Sequence, residues 1–352
     1  MADRGVLMAA EIVEQPDVWR RLMTEGRSQF ETVAGRIAAY DPSMILFVAR
    51  GTSDHAALYG KYLTEIIGRR PAGLVSPSTM TAYGARPNLD RVLMVGVSQS
   101  GGSPDLVQSL QVARQQGALT LAITNQPGSP LAETAELEID VMAGPEHAVA
   151  ATKSYTAQLL ALFLIIDRLR GGNGSASRDS AAVESLPSLA EQVIAGDEQV
   201  RELAQRYRFV SRLVTTARGY SYATAREAAL KLMETSYLGA QAFSGADLLH
   251  GPLAMIDPQV PVFTVVGEGV GGEAMQQVLP RLAEVGAEVF CVGSPAAVRA
   301  ATAGVALPVG VSEELSPLLE IIPFQQLALH LAVARGGDPD APRGLKKVTE
   351  TL

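Results

Sequence analysis

The stretch LMVGVSQSGGSPDLVQSLQVARQQGALTLAIT, residues 93–124, holds two apolar runs separated by a polar turn and a helix-like segment. The first run empties into Ser98, Gln99, Ser100, Gly101, Gly102 and Ser103. The segment SPDLVQSLQVARQQG then ends at Gly117, as helices often end at glycine. Strand, helix, strand is the pattern of a parallel sheet covered on both faces.

The pattern returns later in the chain. ILFVARGTSDHA from Ile45 lies beside LVTTARGYSYAT from Leu213, sharing Ala-Arg-Gly at 49–51 and 217–219. LMVGVSQSGG from Leu93 lies beside FTVVGEGVGG from Phe263, and ALTLAIT from Ala118 beside AEVFCVG from Ala287. Three strands in the same order at nearly the same spacing predict two α/β domains of one fold. The helix-like SPDLVQSLQVARQQG after the second of these strands has its counterpart in GEAMQQVLPRLAEVG, residues 272–286. A glycine- and serine-rich join, GGNGSASRDS at 171–180, sets the boundaries at 1–180 and 181–340, with 341–352 as a tail. A helical stretch near 183–207 opens the second half.

Composition bounds the function. The 352 residues are 47% hydrophobic and carry a net charge of −8, with basic residues scattered, so no footprint for nucleic acid is present. Cys291 is the sole cysteine, which excludes an internal disulfide and a multi-cysteine zinc site and fits a reducing compartment. No metal-ligand spacing or nucleotide-binding fingerprint occurs, so neither metal nor cofactor is expected. The start of the chain lacks the uncharged core of a signal peptide. The best membrane candidate, LLALFLII at 159–166, falls far short of the roughly 20 residues a spanning helix needs. A cytoplasmic location without membrane attachment is expected.

In a parallel sheet, ligands bind beyond the carboxyl ends of the strands, where the next helix offers free N–H groups. Ser98, Gln99, Ser100 and Ser103 occupy such a turn, and Thr52 and Ser53 occupy another, after the strand ending near Ala49. Hydroxyls at a helix N-terminus suit an anion, with phosphate the first choice. A serine there also serves as an ordinary helix cap. The second copy has GEGVGG in place of SQSGGS, with Glu268 where hydroxyls stood.

In the second half, Glu227, Lys231 and Glu234 fall at i, i+4 and i+7, on one helical face. Such a face is commonly solvated ion pairing. The flanking Ala228, Ala229, Leu230, Leu232 and Met233 point instead to a packed helix carrying a carboxylate, a better candidate for catalysis.

GTSDHA, VSQSGGSPD and AITNQPGSPLA resemble the sugar isomerase (SIS) domain, a three-layer α/β/α fold with a flavodoxin-like parallel sheet that binds phosphosugars. EIVEQP, GPEHAVAATKSYTAQ, EAALKLMETSY, LLHGPLAMID and DPDAPRGLKKVTETL are similar, in order and spacing, to the isomerase half of the glutamine:fructose-6-phosphate amidotransferase family. The resemblance implies phosphate binding by Ser53, Ser98, Gln99, Ser100 and Ser103, and sugar contacts from Thr52, Val149, Ala150, Ala151 and Glu227. It gives Glu234 the proton transfer between C1 and C2, with Lys231 beside it on the catalytic helix. His250 opens the sugar ring at the neighbouring subunit's site, so a homodimer is implied. Lys347 arrives from a C-terminal loop, either as a Schiff-base amine or as a charge near the phosphosugar. Two positions depart from the family: Gly102 replaces a glutamate and Ala151 a serine.

Only a handful of residues precede EIVEQP and the sole cysteine is Cys291, so a counterpart of the family's glutaminase domain, with its N-terminal cysteine nucleophile, is not expected. The reading is therefore a glucosamine-6-phosphate deaminase, forming fructose 6-phosphate and ammonia. The alternatives are an ammonia-dependent synthase half, a fructosamine-6-phosphate deglycase, and a phosphosugar sensor without catalysis.

Overall fold

The computed structural model describes residues 4–170 and 180–347. The chain divides into two compact units, neither of them one continuous stretch. The first comprises 17–146, 153–184 and 346–352, and the second 1–16, 147–152 and 185–345. The glycine- and serine-rich join at 171–179 lies outside the described residues.

The first unit is built on five parallel strands, β1 (Met44–Val48), β2 (Ala72–Leu74), β3 (Val92–Ser98), β4 (Leu119–Thr124) and β5 (Leu137–Asp140), in the order β2-β1-β3-β4-β5. All seven residues of β3 are buried, as a central strand covered on both faces requires. Helices Arg27–Tyr40, Gly51–Ile66 and Lys153–Leu169 pack together on one face. On the other, Met80, Leu106, Leu110 and Leu131 from three further helices close over Val48, Met94 and Ala122. Trp19 is fully buried and donates its indole N–H to Thr156 Oγ1 at 3.2 Å.

The second unit repeats the plan with β6 (Arg212–Ala217), β7 (Gly239–Ser244), β8 (Val262–Val266), β9 (Val289–Gly293) and β10 (Ala303–Ala306). The order is β10-β9-β8-β6-β7, which is the first sheet's order read from its other edge, and all pairs are again parallel. Tyr207, Phe263, Phe290 and Phe324 form one aromatic cluster, with Tyr207 edge-on to Phe263 at 4.9 Å between ring centroids. Deleting one such ring costs about 3–5 kcal/mol.

Two helices expected as single are each broken. Residues 272–286 form no continuous helix; Val270–Met275 and Val278–Glu284 are separate. Pro280 has no N–H to give and its ring crowds the carbonyl of Gln276, where the break falls. The stretch near 183–207 is likewise two helices, Ser180–Ile194 and Asp197–Tyr207, parted at Ala195 and Gly196. The most membrane-like segment is also not 159–166. Helix Ser316–Ala334 is long and apolar enough to cross a membrane, yet 83% of its apolar window is buried, as in a core helix.

The second unit joins residues far apart in sequence. Asp340 accepts hydrogen bonds from the backbone N–H groups of Leu7 (2.9 Å) and Met8 (2.8 Å), and Asp338 from Gly5 (3.2 Å). These aspartates cap helix Val6–Val13, whose first N–H groups have no partner within the helix.

Candidate active site

In the first unit, the turn after β3 is folded by its own hydroxyls. Ser98 Oγ accepts from Gly101 N at 3.1 Å and Ser100 Oγ from Gly102 N at 3.3 Å. Each serine thereby retains its hydroxyl hydrogen to donate. Gly101 has φ +61°, and a Cβ there would meet Ser129 Oγ at 2.0 Å, so no other residue fits. Ser103 stands at the N-cap of helix Pro104–Gln115, but its side chain makes no capping hydrogen bond. The ordinary reading of that serine is therefore not what this turn displays. At Gly102, a Cβ would find nothing nearer than Ser100 Oγ at 3.8 Å, so the missing glutamate is not excluded sterically.

Ser53, buried at 7% exposure, and Thr52 open helix Gly51–Ile66 after β1. The β1 and β3 turns are joined by a pair absent from the sequence reading. Arg50 reaches Asp105 Oδ2 through Nε at 2.8 Å and Nη2 at 2.7 Å. Asp105 is 1% exposed at its side chain and Arg50 is 49% exposed, so the guanidinium is a half-solvated cation beside the hydroxyl-rich turn. The signal was present: Arg50 is the centre of the repeated Ala-Arg-Gly, and Asp105 lies in the first turn of a helix.

Lys347, also grouped with the first unit, bonds Glu146 Oε2 at 2.8 Å. Ser154 donates to the same carboxylate through Oγ (2.7 Å) and N (3.1 Å). Among the described residues the tail is not frayed at this point, and of its two lysines Lys346 is exposed.

In the second unit, helix Ser221–Ser236 presents the Glu-Lys-Glu face to the interior. Lys231 Nζ lies 2.5 Å from Glu234 Oε2 and 3.3 Å from Glu227 Oε1. The side chains of Lys231 and Glu227 are 1% and 0% exposed, while that of Glu234 is 22% exposed. Burial alone would push the Lys231 pKa down. The two carboxylates outweigh it and hold the pKa above the ordinary lysine value, so the ammonium is permanent at neutral pH. Of the three, only Glu234 offers surface to a ligand; Lys231 and Glu227 support it from behind.

His250 follows helix Gly245–Leu249, and is exposed. Ser244 caps that helix by accepting from Asp247 N at 3.2 Å and donating to Asp247 Oδ2 at 2.7 Å, which fixes the loop before the histidine. Residues 147–152 are anchored by Glu11, which accepts from the N–H groups of His147 and Ala148, and by Gln325, which donates to Thr152 O at 3.3 Å. Val149 and Ala151 are partly exposed, whereas Ala150 is fully buried and presents no surface.

The second copy of the hydroxyl-rich turn is plugged. Glu313 accepts from Val270 N at 2.9 Å and Gly271 N at 2.7 Å, occupying with its own carboxylate the N–H groups after β8. A Cβ on Gly269 or Gly271 would approach Glu313 within 2.5 or 2.7 Å. The replacement of serines by GEGVGG thus accommodates an internal anion.

Comparison with known proteins agrees with this architecture. The SIS domain family matches residues 40–167 and again 208–335. Glutamine--fructose-6-phosphate aminotransferase [isomerizing] from Thermococcus kodakarensis is 36% identical over 347 residues, covering 97% of this chain and 57% of that protein. The chain thus spans little more than half the length of the curated relatives it matches. The C-terminal domain of glucosamine-fructose-6-phosphate aminotransferase from Francisella tularensis superposes with a TM-score of 0.82 at 26% identity, over 96% of this chain and 98% of that one. Glucosamine-6-phosphate deaminase from Thermotoga maritima shares the fold, with a TM-score of 0.74 at 20% identity over 98% and 100% of the two chains. With each sheet matched in turn, the chain belongs to the SIS domain family and carries that domain twice.

Proposed function

We propose that the chain interconverts glucosamine 6-phosphate with fructose 6-phosphate and ammonia, running toward ammonia release. The observation that carries this reading is Glu234: a partly exposed carboxylate on a packed helix, fixed at 2.5 Å by a buried lysine. Moving a carbonyl between C1 and C2 needs one group that removes a proton and returns it one carbon away.

In this reading the serines after β3 hold the phosphate and His250 opens the ring, exposing the C1 aldehyde. Glu234 takes the C2 proton, giving an enolamine, and returns it to C1. The resulting C2 imine adds water and loses ammonia, leaving the ketone. Cys291 is unsuited to drawing ammonia from an amide donor: it is 1% exposed within β9, and burial pushes its thiol up to about 11.

A second reading, the isomerising half of an ammonia-using synthase, is favoured by the names of the relatives at 34–36% identity. It uses the same groups in reverse. The test is to incubate purified protein with glucosamine 6-phosphate and follow ammonia and fructose 6-phosphate together. Glutamine should be inert as a donor, and concentrated ammonia should drive slow reversal. If neither product forms while a fructosamine 6-phosphate adduct is cleaved, a deglycase replaces this reading. Phosphosugar binding with no turnover of either would make the chain a sensor.

A further inference from the structure

We infer that Glu146 is a positioning residue that seats the C-terminal tail by holding the Lys347 ammonium. Its side chain is fully buried, and both of its oxygens are engaged by the first turn of helix Lys153–Leu169. Ser154 N is one of the N–H groups that a helix leaves without an internal partner, so the carboxylate is oriented by the helix start independently of the tail. That end of a 17-residue helix also favours negative charge. A buried carboxylate is strongly destabilising without a cation, and Lys347, 24% exposed and 2.8 Å away, supplies one. The sequence offers two adjacent lysines, and the pairing selects the second. One fixed anion therefore decides which amine the tail presents and where it stands.

Only the kinetic part of the test rests on the reaction proposed above. Glu146→Gln keeps the shape and can still face Ser154, but no longer attracts an ammonium. The tail of that variant should be cut by chymotrypsin after the exposed Leu345 about tenfold faster than wild type, because the released segment opens locally. Lys347→Gln breaks the same bond from the tail side, without touching the buried helix start, and should show the same acceleration. Unchanged cleavage in both variants overturns the inference, whatever reaction the chain performs. In turnover of glucosamine 6-phosphate, Glu146→Gln should lower kcat about tenfold or more in the native background and cause no further loss beside Lys347→Met. Fully additive losses would mean that Glu146 does not act through Lys347. Absent turnover in the native protein would count against the reaction alone, leaving the cleavage result to judge the tail.

Discussion

Lys231 Nζ lies 2.5 Å from Glu234 Oε2, and of this pair only the glutamate keeps part of its side chain exposed, 22% against 1%. The lysine is therefore a fixed counter-charge, behind a carboxylate that can meet a ligand. Lys231→Met should destabilise the fold by about 3–5 kcal/mol at neutral pH, since the buried Glu227 and the partly exposed Glu234 lose their cation. The raised lysine pKa makes this contribution fully present below the ordinary value of 10.5, and it is lost as pH rises through the folded-state value. Urea midpoints of variant and wild type should accordingly converge only in strongly alkaline buffer. A gap that closes already near neutral pH would contradict the pairing.

Glu234→Gln keeps the volume but cannot accept a proton. Exchange of the C2 hydrogen with deuterated solvent should stop, while phosphosugar affinity measured by calorimetry stays within a few-fold of wild type. Loss of both together would assign the residue a structural role.

Ser98→Ala and Ser100→Ala each remove a hydroxyl from the turn after β3. If phosphate binds there, each should weaken phosphosugar binding by about 1.5–3 kcal/mol, the range for a hydrogen bond to a charged group. Both hydroxyls also hold the turn itself, Ser98 Oγ accepting from Gly101 N and Ser100 Oγ from Gly102 N. Unchanged affinity in the double variant would move the anion site elsewhere.

Exposed His250 is proposed to serve the neighbouring subunit of a homodimer. Inactive Glu234→Gln and inactive His250→Ala chains, unfolded together and refolded as mixed dimers, should regain part of the native activity. Mixed dimers isolated by two affinity tags and still inactive would show that each site uses its own histidine.

Glu320 is fully buried among the hydroxyls of Ser316 (2.7 Å), Ser221 (2.8 Å) and Thr224 (2.9 Å). Burial pushes its carboxyl pKa up, against the hydroxyls, which pull it down. For an acid with a raised folded-state pKa, the unfolded chain ionises first, so stability falls as pH rises from the ordinary value of 4.5 through the folded-state value. Glu320→Gln should lack that slope. Melting temperatures across mildly acidic to neutral pH would reveal it as a widening advantage of the variant; parallel curves would refute it.

Much of this architecture was legible in the sequence because its evidence is local. β1, β3 and β4 are mostly apolar runs, MILFV, VLMVGVS and LTLAIT, and each has its copy in β6, β8 and β9. The short edge strands were not legible: β2 is Ala-Gly-Leu and β10 is Ala-Gly-Val-Ala, with no periodicity to read. The Glu-Lys-Glu face was visible as spacing, but whether it was solvated depended on what packed over it. The Arg50–Asp105 and Lys347–Glu146 pairs were hidden for a different reason, since each joins charges that are distant along the chain. The grouping of residues 147–152 with the second unit has the same origin, in Glu11 and Gln325.

The caps supplied by Asp338 and Asp340 also order events during synthesis. Helix Val6–Val13 leaves the ribosome well before its capping carboxylates, which lie 332 to 333 positions later. Until they emerge, the helix carries open N–H groups and exposes apolar residues that are buried in the finished fold, Met8 and Ile12 among them. The second unit therefore closes late, whereas the first sheet has its strands in hand once residue 140 is made. A nascent chain of this protein should pass through a half-built stage in which helix Val6–Val13 is a client for chaperones that bind exposed apolar segments.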